Sequence, residues 1–205
     1  MRSRFLLAAA VTLLAGPSLA LDLTVTIKGD DGKPLAYAVV VVRPASGTAA
    51  GQPIRFAWPL KVTQQNIAFD PYVLIVPVGS TVGFPNKDKV RHHVYSFSAT
   101  KRFELKLYGQ QQERTVTFEK AGIVPLGCNI HDSMIGYIFV TDSAFSAKSD
   151  ASGQVMIRGI PAGAASVSVW HPDMKARAPV SAPMAAGGRQ AIVLPLRPPA
   201  ARHRH

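Results

Sequence analysis

Along this chain the apolar positions fall in short runs, and almost every run has the period of a strand. Residues alternate apolar and polar from Leu23 to Lys28, and Ala38 to Arg43 is a valine-rich stretch of buried-strand length. Between them Asp30-Asp31-Gly32-Lys33-Pro34 is turn chemistry, so the two runs read as a hairpin-like pair. The small residues from Pro44 to Pro53 read as a linker. Short strands are then predicted at Leu60 to Ala68, Tyr72 to Val76, Ser80 to Phe84, His93 to Phe97, Phe103 to Tyr108, Arg114 to Phe118 and Gly136 to Val140. Turns such as Pro77-Val78-Gly79 and Asn86-Lys87-Asp88 separate them, and that density predicts an antiparallel sandwich or barrel. The last third adds Gln154 to Arg158, Ser166 to Trp170 and Gln190 to Leu196. No long amphipathic helix, phosphate-binding glycine loop or nucleophile elbow interrupts the pattern, so the expected class is all-β.

The first twenty residues follow another pattern. Arg2 and Arg4 precede an apolar run from Phe5 to Ala15, and Gly16-Pro17-Ser18-Leu19-Ala20 closes it with small residues where a signal peptidase reads. Residues 1–20 are therefore expected to be an export signal cleaved after Ala20. No later stretch approaches the ~20 consecutive apolar residues of a membrane span. The 205 residues carry a net charge of +11, and losing Arg2 and Arg4 leaves +9. A basic exported chain points to acidic protein partners. Export argues against nucleic acid, and the basic residues do not interleave with stacking aromatics. The single cysteine rules out an intramolecular disulfide and a multi-thiolate metal site.

That cysteine sits in the strongest local motif, Gly127-Cys128-Asn129-Ile130-His131-Asp132-Ser133-Met134, with spacing Cys-x2-His-x2-Met. Upstream, Phe84-Pro85-Asn86 leads to Arg91-His92-His93-Val94, which offers a second imidazole from another part of the sheet. Two imidazoles and a thiolate in one plane, with a weak axial thioether, form the geometry of an electron-transfer copper centre. Copper(I) favours soft ligands and copper(II) favours nitrogen, so a cage fixed by the fold limits rearrangement between the two states. Strand alternation lets only one of His92 and His93 face the ligand loop, and Val94 shares the direction of His92. Phe84, Pro125, Leu126 and Ile135 are the apolar neighbours expected to keep water from the site.

Asn86 with His92 six residues later, followed by Cys128-x2-His131-x2-Met134, resembles the cupredoxins, and the short ligand loop looks most like the amicyanin branch. The fuller set, with Arg91-His92-His93-Val94-Tyr95-Ser96-Phe97-Ser98, resembles periplasmic methylamine-utilisation or plastocyanin-like proteins over residues 60–142. The resemblance implies a Greek-key β-sandwich, one mononuclear copper ion held by His92, Cys128, His131 and Met134, and periplasmic one-electron transfer without substrate turnover. It also implies redox partners such as a c-type cytochrome or a periplasmic dehydrogenase. Two positions depart from the best-known members: His93 stands where an asparagine braces the ligand loop, and Leu126-Gly127 precede the cysteine where aromatics are common. His93 is therefore either a supporting donor or an alternative ligand.

Thr26 to Val39 resembles the opening hairpin of transthyretin-like or carboxypeptidase-regulatory modules, and Ser149 to Trp170 resembles their closing half. Neither piece is long enough to bury a two-sheet core alone. Residues 22–48 and 143–197 are thus expected to form one discontinuous small sandwich, with a copper domain over 55–142 inserted between its halves and a disordered basic tail at 198–205. Two other functions stay open: copper delivery or storage, for which Met156, Met174 and Met184 are too scattered to form a methionine-rich run, and a carbohydrate- or surface-binding module with a vestigial metal site. Lys87, Lys89, Arg91, Lys101, Arg102 and Lys106 are expected to surround the metal end and to steer an acidic partner.

Overall fold

A computed structural model describes residues 20–45, 47, 53–163, 165–185 and 188–197. The expected leader, apart from Ala20, and the expected tail lie outside these residues, as does part of the Pro44 to Pro53 linker. The described residues form sixteen strands: β1 (Ala20–Gly29), β2 (Val39–Pro44), β3 (Thr63–Gln65), β4 (Ala68–Asp70), β5 (Val73–Pro77), β6 (Ser80–Pro85), β7 (His92–Phe97), β8 (Arg102–Tyr108), β9 (Glu113–Phe118), β10 (Gly122–Cys128), β11 (Ile135–Thr141), β12 (Ser146–Lys148), β13 (Gln154–Pro161), β14 (Ala165–Trp170), β15 (Val180–Pro183) and β16 (Arg189–Leu194).

The alternating β1 buries Leu23, Val25 and Ile27 and lies between β13, antiparallel, and β16, parallel. Facing it is a second sheet ordered β12-β2-β14-β15. Val40, Val42, Val167 and Val169 meet Leu23, Val25, Ile27, Val155 and Ile157 between the two sheets. The expected β1–β2 hairpin does not form, because the two strands belong to opposite sheets. The cause is visible in β2 itself: Val40 and Val42 enter this core, while Val39 and Val41 enter a different one. A strand buried on both faces needs cover on both sides, which a two-stranded hairpin cannot provide.

A second pair of layers holds the motif residues. One sheet runs β5-β11-β10-β7-β8, with β5 and β11 parallel and the other pairs antiparallel. The other layer contains the β6–β9 pair and the β3–β4 hairpin, joined through bridges of Lys61 to Gly83 and Gln64 to Asn86. Val82, Phe84, Val94, Phe118, Val124, Leu126 and Ile138 fill the space between. The two parallel pairings, β1–β16 and β5–β11, depart from a purely antiparallel expectation.

Two differences bear on the site. The stretch Leu60 to Ala68, read as one strand, breaks at Asn66 and Ile67, whose φ values of 57° and 55° reverse the chain into β4. Strand β10, which delivers Cys128, was not expected, because its two glycines and Pro125 erase the strand signal. Pro125 is tolerated because β7 pairs with β10 only at Gly127 and Cys128, so no ladder bond to β7 is asked of residue 125. The outward faces of β2 and β14 meet those of β5 and β11 through Val39, Val41, Val73, Ile75, Phe139 and Trp170. Nearby, Arg43 and Asp142 form an ion pair of 2.7 Å.

Candidate metal centre

Cys128 ends β10 on its inward side, aligned with Val124 and Leu126, and is 3% exposed. Its neighbour Gly127 faces outward, where the hydroxyl end of Tyr95 approaches it closely: a Cβ there would come within 2.8 Å of Tyr95 Cζ. His131 follows in the turn, and the Met134 N–H donates to the His131 carbonyl at 2.9 Å, which closes the loop before β11. Met134 is buried in the same apolar cluster as Cys128.

His92 opens β7 and is fully buried. Its Nδ1 and the Nδ1 of His131 each lie 3.7 Å from Cys128 Sγ, and the ligand atoms of the three residues fall within 4.8 Å of one another. Strand alternation turns His93 the other way, where its Nε2 meets Glu104 Oε1 at 2.8 Å. The His93 backbone carbonyl accepts the Asn129 N–H at 3.0 Å, so this residue braces the ligand loop through its main chain.

Around His92 the structure gives the motif residue Asn86 its partners and adds Asp88 and Tyr108, to which the sequence assigned no role at the site. Asn86, fully buried, donates from Nδ2 to the carbonyls of Val90 at 2.9 Å and Tyr108 at 3.1 Å, and its Oδ1 accepts the Asp88 N–H at 2.8 Å. Asp88 Oδ2 lies 2.8 Å from His92 Nε2. Burial raises the Asp88 pKa, but hydrogen bonds from His92, Ile67 and Asn66 outweigh it and hold the carboxyl below its usual range. Tyr108 sits opposite His92 on β8 and donates its hydroxyl to the Phe84 carbonyl at 2.8 Å. Burial pushes its phenol up to about 12. The i, i+4 spacing of Asp88 and His92 was the one available signal, and it is a helix pattern that carries no weight in a loop.

The apolar surround differs from expectation. Phe84 and Leu126 are buried, but Pro125 is exposed and Ile135 is 48% exposed. Ile135 and the 47% exposed Ile130 instead flank the half-buried His131 at the surface. Lys87, Lys89 and Arg91 are exposed beside Asp88 and His92, and Lys106 lies near Tyr108. Lys101 and Arg102 stand at the far end of the β7–β8 pair, six residues or roughly 20 Å away, and Lys101 is paired with Glu119.

No family model and no curated protein matches this chain. Solved structures similar to part of it are cupredoxins. They include a copper-containing nitrite reductase from Thermus scotoductus, 29% identical over 48% of this chain and 25% of that one, with a TM-score of 0.39. A purple cupredoxin from Nitrosopumilus maritimus is 24% identical over 40% of this chain and 98% of its own, at a TM-score of 0.37. A reduced amicyanin variant is 23% identical over 51% of this chain and 99% of its own, also at 0.37. The chain thus spans a quarter of the length of the nitrite reductase it resembles.

Proposed function

We propose that this protein is an exported one-electron carrier holding a single copper ion through His92, Cys128, His131 and Met134. The observation that carries the reading is the pair of Nδ1 atoms, each 3.7 Å from one buried sulfur. An ion about 2.3 Å from a thiolate and about 2.0 Å from an imidazole nitrogen, with an angle of about 120° between them, separates sulfur and nitrogen by roughly 3.7 Å. The donor set therefore fits a trigonal thiolate–imidazole site, and a thioether, which Met134 in the same buried cluster as Cys128 could offer, suits copper better than zinc. When bound, copper would supply cycling between its two oxidation states. Cys128 would hold the ion as the thiolate, His92 and His131 through their Nδ1 atoms, and Met134 would supply the thioether. His131, half-buried between Ile130 and Ile135, is the edge through which electrons leave.

In this reading residues 55–142 form the copper domain, residues 22–48 and 143–197 the sandwich that carries it, and residues 1–20 the signal that sends it to the periplasm. Its partners are redox proteins with acidic surfaces. Adding Cu(II) to the purified protein should produce an intense thiolate-to-copper absorption band. Cys128→Ser should abolish the band, and Met134→Leu should shift it while leaving the protein coloured. A colourless wild-type protein would overturn the proposal.

A further inference from the structure

The contact that orients His92 comes from neither the ligand loop nor the strands beside it. Asp88 Oδ2 receives His92 Nε2 at 2.8 Å, and the same carboxylate is itself held by a remote turn. Its Oδ1 accepts the Asn66 N–H at 2.7 Å, and its Oδ2 accepts the Ile67 N–H at 3.0 Å. These two residues form the tip of the β3–β4 hairpin, and both are left-handed, with φ of 57° and 55°. A β-branched residue is rarely found there, and the conformation costs roughly 1–2 kcal/mol. Two further bonds tie the Asp88 loop to the hairpin and to itself: the Lys87 N–H donates to the Gln64 carbonyl at 2.9 Å, and Asn86 Oδ1 receives the Asp88 N–H.

We infer that Asp88 is the positioning residue of His92, and that the strained Asn66–Ile67 turn holds Asp88 in place for that role. An ionised carboxylate is an acceptor only, so the ring presents Nε2–H to Asp88 and its bare Nδ1 to Cys128. The ligand nitrogen is thereby selected before any metal arrives. His92 is fully buried and Asp88 only 12% exposed, so little water competes for the bond. The consequence for metal affinity rests on the copper reading, whereas the tautomer assignment does not.

The test uses the full-length mature protein. In the metal-free wild type, long-range ¹⁵N–¹H NMR of the imidazoles should show His92 wholly as the Nε2–H tautomer. Asp88→Ala should give a mixture of tautomers, together with 10–100-fold weaker binding in a Cu(II) titration. Ile67→Pro removes one of the two N–H groups that hold Asp88 and cannot adopt the left-handed φ of this turn, so it should give the same mixture of tautomers. If Asp88→Ala does not fold, Asp88→Ser replaces it, because its shorter hydroxyl side chain ends short of His92 Nε2, and His92 should again lose its single tautomer. A His92 that stays wholly Nε2–H in the variants overturns the inference, even if affinity falls, because the carboxylate would then act through charge alone. A wild type that binds no Cu(II) overturns the copper reading and leaves the tautomer result standing as the test of Asp88.

Discussion

Substituting Gly127 by alanine probes how closely the sheet behind Cys128 is packed. The added Cβ would stand 2.8 Å from Tyr95 Cζ, 2.9 Å from its hydroxyl and 3.2 Å from Cε1. Comfortable carbon contacts lie near 3.5–4.0 Å, so the ring must retreat by roughly 0.7 Å or β10 must bend. Overpacking of this kind costs about 1–3 kcal/mol. The half-buried Tyr95 has some freedom against Phe97, whose ring centroid is 5.0 Å away, so the lower half of that range is expected. Gly127 does not have a left-handed φ, so alanine is otherwise compatible with its backbone, and restricting the unfolded chain favours alanine by about 0.4–1 kcal/mol. The sign should therefore depend on Tyr95. In wild type, Gly127→Ala lowers stability by a net of up to about 1.5 kcal/mol; in a Tyr95→Ala background it is stabilising by about 0.4–1 kcal/mol. Urea denaturation of the metal-free protein at constant m-value measures both effects. Equal losses in the two backgrounds, additive to within about 0.5 kcal/mol, would refute this account of why residue 127 is glycine.

Trp170 is 4% exposed and packs against Tyr137 and Phe139, with ring centroids 5.3 and 5.8 Å away, so Trp170→Ala should cost about 3–5 kcal/mol in denaturant unfolding. His171 donates from Nε2 to the Ala36 carbonyl and accepts the Asp173 N–H at Nδ1, both at 3.0 Å, and burial lowers its pKa although Asp173 opposes the shift. The unfolded chain then binds a proton more readily than the folded one, so stability should fall as pH drops below about 6.5. Comparing denaturation midpoints at pH 7.5 and 5.5 should show a smaller difference in His171→Gln than in wild type. For an acidic redox partner, Lys89→Glu should slow association several-fold at low salt and by much less at high salt, while Lys101→Glu, at the far end of β8, should change it little; stopped-flow kinetics would show both.

What the sequence revealed follows the range of each interaction. Cys128, His131 and Met134 were legible because seven consecutive residues contain them and their donor chemistry needs no fold to be recognised. The orientation of His92 over His93 followed from alternation, which the inward-outward pattern of β7 keeps even though its pairing with β8 shifts register between His92 and Val94. The clasp of Asn66, Ile67 and Asp88 was not legible, because it joins atoms more than twenty residues apart and its turn contains an isoleucine where turn chemistry calls for glycine. Strand β10 was hidden by residues that serve the site: Gly127 makes room for Tyr95, and Pro125 lies beyond the reach of β7. The β1–β2 pairing was misread because sequence adjacency suggested a hairpin, while the two-sided burial of β2 depends on surfaces contributed much later in the chain.

The contact between Arg43 and Asp142 bears on how such a chain could have been assembled. The segment between them, about a hundred residues, leaves β2 and returns to within one hydrogen bond of its departure. Were that excursion a loose loop, closing it in place of a five-residue turn would cost roughly 3 kcal/mol. Ends held together by the excursion's own fold remove that entropic cost, so the host sheets experience the long segment much as they would a short turn. A gene could thus acquire or exchange the segment that carries His92 and Cys128 at this junction without redesigning the core that Leu23, Val40 and Val167 share.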